Sequence, residues 1–169
     1  MSVLSYRGHP AITKAAFVAE MEAHAAADRI VSGHYWDGYT GCAIGCGLRS
    51  ILSLQGGETL DPYDPFYGRH KAHAAALGIP RWLSGLQDAL FESLPKPRQQ
   101  SFPVQFAQAL PDGANLSNLY EQVDAAAEES GWVPRLIIAP NGGLQTPSIA
   151  IKMADKLLEL MAACPVVPA

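Results

Sequence analysis

The sequence has no Lys/Arg-rich run, no long hydrophobic run and only three cysteines. A formal net charge of −4 argues against binding to nucleic acid or to an anionic membrane surface, because both require a basic surface. No apolar run approaches the ~18 residues of a membrane-spanning helix, and the first residues lack the basic and apolar regions of a signal peptide. We therefore expect a cytoplasmic protein without nucleic-acid or membrane partners. The sequence identifies no other partner, and it leaves homo-oligomerisation open.

The small number of cysteines also limits their roles. Three is an odd count and too few for a disulfide-stapled fold. In a reducing cytosol, Cys42 and Cys46 are expected to be free thiols, a metal-binding pair or part of a catalytic site. Helical spacing disfavours a disulfide between them, because residues four apart have Cβ atoms ~5–6 Å apart and a disulfide needs ~3.5–4.5 Å.

What the chain does contain is a series of short helical patterns separated by Gly and Pro. With 169 residues, 49% of them hydrophobic, it is most simply one domain with a core of its own. The apolar spacing predicts a mainly α, single-domain, compact helical bundle of about six helices, with a Gly/Cys-rich turn and one long loop. The boundaries that we expect are helix starts at Pro10 and Pro80, helix ends at Gly78 and Gly131, and a last helix starting at Thr146–Pro147 and reaching about Met161.

Other segments of the chain are predicted to be short or irregular. Pro95 and Pro97 break the chain, and Ser101 is expected to cap a short helix with Pro103 in its first turn. The Gly- and Pro-rich stretch Gln55–Gly68 is predicted to be an inserted loop, serving either as a lid or partner contact or as a plain surface insertion. Residues 136–139 fit a strand or a helical turn, and residues 164–169 are expected to be a frayed tail.

The stretch His34–Ile51, here called the Gly/Cys segment, is the most unusual part of the sequence. It carries Cys42 and Cys46 between glycines, which permit positive φ and close backbone approach, so a tight turn leading into a helix is expected. A phosphate loop is disfavoured because no Lys-Ser/Thr pair follows the glycines, and Arg49 is the only cation nearby.

Polar residues on otherwise apolar helical faces suggest where a functional centre forms. His24 and Asp28 continue the helical spacing of Phe17 and Met21, and Asp88 and Glu92 lie four apart on the helix that starts at Pro80. We expect the Gly/Cys segment to meet these two helices. A thiol enzyme would use one cysteine as nucleophile with a His/Asp partner. The catalytic candidates are Cys42, Cys46, His24, Asp28, Asp88 and Glu92.

A metal site is the second interpretation of the same segment. Two thiolates four residues apart and two imidazoles three residues apart are, in residue type, a tetrahedral zinc set. The metal candidates are Cys42, Cys46, His70 and His73, and zinc is the cofactor that they would take. The interpretation that the sequence favours is a structural, binding or interaction module. Its cysteines are then buried packing residues or belong to a Cys/His/carboxylate cluster that binds a metal, and the thiol enzyme is the alternative. The sequence leaves open whether the protein is an enzyme.

The chain also resembles a family of uncharacterised bacterial proteins of similar length. The resemblance is carried by the motif Tyr35-Trp36-x-Gly38-x-x-Gly41-Cys42-Ala43-Ile44-Gly45-Cys46, and it extends from about Pro10 to Leu119. Members of that family often carry a His three residues after the second cysteine, where this chain has Arg49. If that His has a role in the family, the resemblance implies that the role either is absent here or is taken over by His70 or His73. The resemblance implies no reaction, because the family has no established activity.

Overall fold

The computed structural model describes residues 4–56, 66–132 and 146–169, which are mainly helical. These ranges contain seven α-helices, where about six were expected, and no strands, only isolated β-bridges. The predicted mainly α fold class is therefore confirmed. The helices are α1 (Lys14–Ala26), α2 (Ala43–Leu54), α3 (Phe66–Leu77), α4 (Arg81–Ser93), α5 (Lys96–Ala109), α6 (Leu119–Ser130) and α7 (Pro147–Ala162).

Two sequence predictions fall largely or wholly outside the described residues. Most of the predicted loop Gln55–Gly68 lies there, although its last residues belong to α3, which begins at Phe66. The strand or helical turn predicted for residues 136–139 also lies outside the described ranges.

The helices pack around a shared apolar core because each buries one face. α4 buries Leu83, Leu86 and Leu90, the residues whose spacing predicts a single apolar face. It contacts α2, α3, α5 and α7, and α2 contacts α1, α3 and α4. This packing brings the first turn of α2 close to the polar side of α4.

Two predicted helix starts are wrong. α1 begins after Thr13 and not at Pro10, because the Thr13 hydroxyl accepts the backbone N–H of Ala16 at 3.2 Å and so caps the helix. α5 is one continuous helix from Lys96, with Pro97 in its first turn and Pro103 in its interior, and not a short helix capped by Ser101. The predicted helix end at Gly131 is confirmed: this glycine adopts the left-handed conformation, with φ of 75°.

The last residues of the chain pair with an earlier segment, although their sequence predicts a frayed tail. The N–H of Val167 donates to the carbonyl of Gly113 at 2.9 Å, and the N–H of Asn115 donates to the carbonyl of Pro165 at 2.8 Å. No helix in the described ranges has both the length and the hydrophobicity needed to span a membrane.

Candidate metal centre

Cys42 sits at the start of α2, where two loop carbonyls hold its backbone. It is the N-cap residue, with extended backbone geometry, and its Sγ accepts the N–H of Gly45 at 3.5 Å. Its own N–H donates to the carbonyls of His34 and Tyr35, at 3.0 and 3.2 Å. A Cβ on Gly45 would collide with the Tyr35 carbonyl oxygen, so the close approach of this loop requires glycine. The expected turn into a helix is thus present, with the Cys42 side chain buried at its start.

Two carboxylates of α4 approach the Cys42 thiol. Asp88 and Glu92 are four residues apart on α4 and are half-buried. One ligand atom from each of Cys42, Asp88 and Glu92 lies within 4.8 Å of the other two. The described residues contain no other group of three Cys, His, Asp or Glu side chains gathered this closely.

Burial and like charge disfavour ionisation in this group, which we call the Cys42 cluster. Burial raises the pKa of the Cys42 thiol to about 12, and the Asp88 carboxylate adds to that rise, against the opposing effect of nearby backbone N–H groups. Burial also raises the pKa of Glu92, again with help from Asp88, and the N–H of Gly33 and the His34 imidazole oppose that shift. The Cys42 thiol and the Glu92 carboxyl therefore both resist becoming anions beside Asp88.

The two histidines of the predicted zinc set occupy different environments. His70, on α3, has its Nε2 3.0 Å from Oδ2 of Asp88. It therefore contacts one member of the Cys42 cluster, the Asp88 carboxylate. His73 is fully buried, pairs through Nδ1 with the Ser84 hydroxyl at 2.8 Å, and packs its Nε2 edge against Gly47. The structure does not gather these two imidazoles around the cysteines.

Cys46, His24 and Asp28 are not members of the Cys42 cluster. The buried Sγ of Cys46 donates to the carbonyls of Gly41 and Arg29, at 3.4 and 3.6 Å. Its pKa is raised to about 12, chiefly by burial and next by Cys42. His24 is buried beside the Trp36 ring. Asp28 is exposed and accepts a hydrogen bond from Gln100 at 3.4 Å.

The structure thus brings together three of the six catalytic candidates, Cys42, Asp88 and Glu92, and from the proposed zinc set it gathers only Cys42. From the sequence we expected the Gly/Cys segment to meet Asp88 and Glu92, but the zinc set that we named paired the two cysteines with His70 and His73 and left out these carboxylates. The available signal was the like-charged pair four residues apart on α4, which costs a few tenths of a kcal/mol in a helix unless something offsets it.

Comparison of the chain with models of protein families, with curated proteins and with solved structures found no match. The resemblance to bacterial proteins that share the Tyr35–Cys46 motif stays a prediction.

Proposed function

We propose that this protein binds a divalent transition metal, with Zn²⁺ as the first candidate, through Cys42, Asp88 and Glu92. The observation that carries the proposal is the mutual approach of their ligand atoms to within 4.8 Å. A tetrahedral zinc ion holds sulfur and oxygen ligands about 3.5 Å from one another, given Zn–S and Zn–O distances near 2.3 and 2.1 Å. Small side-chain rotations from the present geometry would reach that arrangement.

The donor atoms favour zinc over the harder divalent ions. Thiolate is a soft ligand that Mg²⁺ and Ca²⁺ avoid, whereas zinc accepts sulfur and carboxylate oxygen in one site. Burial, and next the repulsion from Asp88, raise the pKa of both Cys42 and Glu92, and a bound cation would offset that repulsion. Binding would then release the thiol proton, so the affinity should increase with pH.

His70 supports the proposal from outside the ligand set. Its imidazole lies 3.0 Å from one oxygen of Asp88, which orients that carboxylate and leaves its second oxygen for a metal. Groups that fix a ligand in this way typically change metal affinity by about 10–100-fold when they are removed.

Three protein ligands leave a fourth tetrahedral position for water or a small ligand. Structural zinc sites usually have four protein ligands, whereas catalytic zinc sites keep one position open. The proposed centre is therefore of the open type, as far as the described residues define it. A metal-assisted reaction would occur at that open position.

The test is zinc binding to the untagged, metal-stripped chain, measured by competition with a chromophoric chelator. We expect about one zinc ion per chain, and we expect Cys42→Ser to weaken binding by at least about tenfold while keeping the helix cap, because Ser is a preferred N-cap residue. Cys46→Ser is the matched control, since it makes the same change four residues away in the same helix, and it should bind zinc normally. Absence of saturable zinc binding, or equal affinity of the two variants, would refute the proposal.

Thiol alkylation separates this proposal from a metal-free thiol enzyme. The raised pKa values of Cys42 and Cys46 predict slow reaction with iodoacetamide at neutral pH, because the thiolate is the reactive form. The more accessible Cys164 should be alkylated first. Mass spectrometry of timed samples identifies the modified residue. Fast alkylation of Cys42 or Cys46 in metal-free protein would favour the thiol enzyme instead.

A further inference from the structure

Arg69, near the start of α3, lies over the aromatic ring of Tyr35. The Cζ of its guanidinium is 3.6 Å from the ring centroid, which is the geometry of a cation–π contact. Arg69 is half-buried and forms no ion pair with a carboxylate of the described residues, and its buried Nε has no hydrogen-bond partner among them. Arginine is rarely buried unless it is paired. The Tyr35 ring is therefore the partner that this part of the structure gives to the charge.

Tyr35 in turn holds the backbone of Cys42. Its carbonyl oxygen accepts the Cys42 N–H at 3.2 Å. Its ring reaches the first turn of α2, where its Cδ2 would lie 3.5 Å from a Cβ placed on Gly45. Fixing the Cys42 N–H fixes the position from which its Sγ reaches toward the carboxylates of α4. A continuous series of contacts thus runs from Arg69, through the ring and the carbonyl of Tyr35, to Cys42.

α3 therefore acts on both sides of the Cys42 cluster with two consecutive residues. Arg69 reaches the thiol side through Tyr35, and His70 lies 3.0 Å from a carboxylate oxygen of Asp88. α3 packs against α2 and α4, the two helices that supply the ligands. Metal ligands bind well when other groups hold them in place, and these groups influence affinity without touching the metal.

We propose that Arg69 is a positioning residue of the metal centre, which holds the Tyr35 ring against α2 and so keeps the Cys42 thiol in place for the metal. This inference rests on the proposed function, because it concerns the sulfur ligand of that same centre. Arginine suits the role, since its planar guanidinium stacks on an aromatic face and the attraction strengthens away from water. Loss of this contact should loosen the thiol and leave the two carboxylates in place.

The experiment compares the zinc affinity of the metal-stripped full chain with that of Arg69→Gln, by competition with a chromophoric chelator. We expect Arg69→Gln to weaken binding by about tenfold, the lower end of the range for groups outside a ligand set. Arg29→Gln is the matched control. The Arg29 guanidinium also lies over a tyrosine ring of the same loop, that of Tyr39, at 4.6 Å from the centroid. The Cys42 N–H donates to His34 and Tyr35 and not to Tyr39, so this control should bind zinc normally.

A second comparison separates positioning of the thiol from a general loosening of the fold. In a chain that also carries Cys42→Ser, Arg69→Gln should have little further effect on zinc affinity, because the ligand through which it acts is gone. His70→Gln should still weaken binding in that chain, because His70 acts through Asp88. A purely structural role of Arg69 predicts the same fold-loss of affinity with and without the Cys42 thiol.

Three results would overturn the proposal: normal zinc affinity of Arg69→Gln, an equal loss of affinity in Arg29→Gln, or an equal fold-loss in the Cys42→Ser chain. Tyr35→Leu removes the ring but keeps the carbonyl, and it should weaken binding as much as Arg69→Gln does. Normal affinity of Tyr35→Leu also contradicts the proposal, so the test stays decisive if Arg69→Gln does not fold. Absence of saturable zinc binding in the unaltered chain refutes the metal centre and this inference together, whereas binding that requires Cys42 but not Arg69 refutes this inference alone.

Discussion

Gly45, in the first turn of α2, is the residue at which a single added methyl group should damage the centre most. A Cβ there would collide with the backbone carbonyl of Tyr35, which is itself an acceptor for the Cys42 N–H. We expect Gly45→Ala to lower the free energy of unfolding by about 1–3 kcal/mol, the usual cost of overpacking a rigid site. Urea denaturation followed by circular dichroism measures the change.

Gly85 is the matched control for that substitution. It also lies inside a helix, α4, but a Cβ at Gly85 would meet no atom within 4 Å. Gly85→Ala should therefore raise the free energy of unfolding by about 0.5–1 kcal/mol, because alanine loses less backbone entropy in a helix. Equal effects of the two substitutions on the free energy of unfolding would contradict this prediction, because they would show that the Tyr35 contact does not set the cost at Gly45.

At the scale of single residues, the sequence predicted where the backbone approaches closely but not which atoms it approaches. The glycines around Cys42 and Cys46 indicate close backbone approach, and the structure has that approach at Gly45. The sequence does not reveal that the approaching group is the Tyr35 carbonyl. That contact depends on how residues 31–41 fold back, with the N–H of Val31 donating to the carbonyl of Gly41 at 2.9 Å.

At the scale of single helices, two threonine N-caps differ in what their side chains do. The Thr13 hydroxyl caps α1 by accepting the Ala16 N–H, whereas Thr146 precedes α7 without a side-chain bond to the helix backbone. Thr13→Ala should lower the free energy of unfolding by about 1 kcal/mol. Thr146→Ala should change it by only a few tenths of a kcal/mol. Thermal denaturation of both variants tests this, and a larger effect at Thr146 would contradict it.

α1 and α7 also show when the start of a helix can be predicted from the sequence. α7 begins where Thr146–Pro147 predicts, because no competing start signal is nearby. α1 offers two starts, Pro10 and Thr13, and the hydrogen bond of Thr13 decides between them.

The sequence also failed to predict that α5 continues through Pro103. An interior proline normally costs a helix about 3 kcal/mol. Burial of Phe102 and Phe106 offsets that cost, so the helix continues through Pro103.

At the scale of the whole molecule, the features that the sequence does not predict are contacts between distant segments. Both ends of the described chain meet at residues 113–115: the N–H of Ser5 donates to the carbonyl of Ala114 at 3.2 Å, and Val167 pairs with Gly113. The Cys42 cluster has the same origin, since packing of α2 against α4 brings Cys42 to Asp88 and Glu92. Helical periodicity predicts the face on which a residue lies, but not the helix that packs against it.

The dependence of the whole fold on pH should reflect the buried His73. Burial, and next the charge of His70, lower the pKa of His73 from 6.5 to about 3. Between these two values the unfolded chain binds a proton that the folded protein does not, so the free energy of unfolding falls as the pH decreases. His24, whose pKa is also lowered, acts in the same direction.

We expect the free energy of unfolding to drop by about 1 kcal/mol through His73 between about pH 7 and pH 5.5, measured by urea denaturation at each pH. His73→Gln keeps a polar group near the Ser84 hydroxyl but cannot be protonated in this range, so its stability should change less over the same interval. Part of the slope should remain in that variant because of His24. If His73→Gln has the same slope as the unaltered chain, then His73 is not protonated on unfolding in this range and its burial does not control the pH dependence.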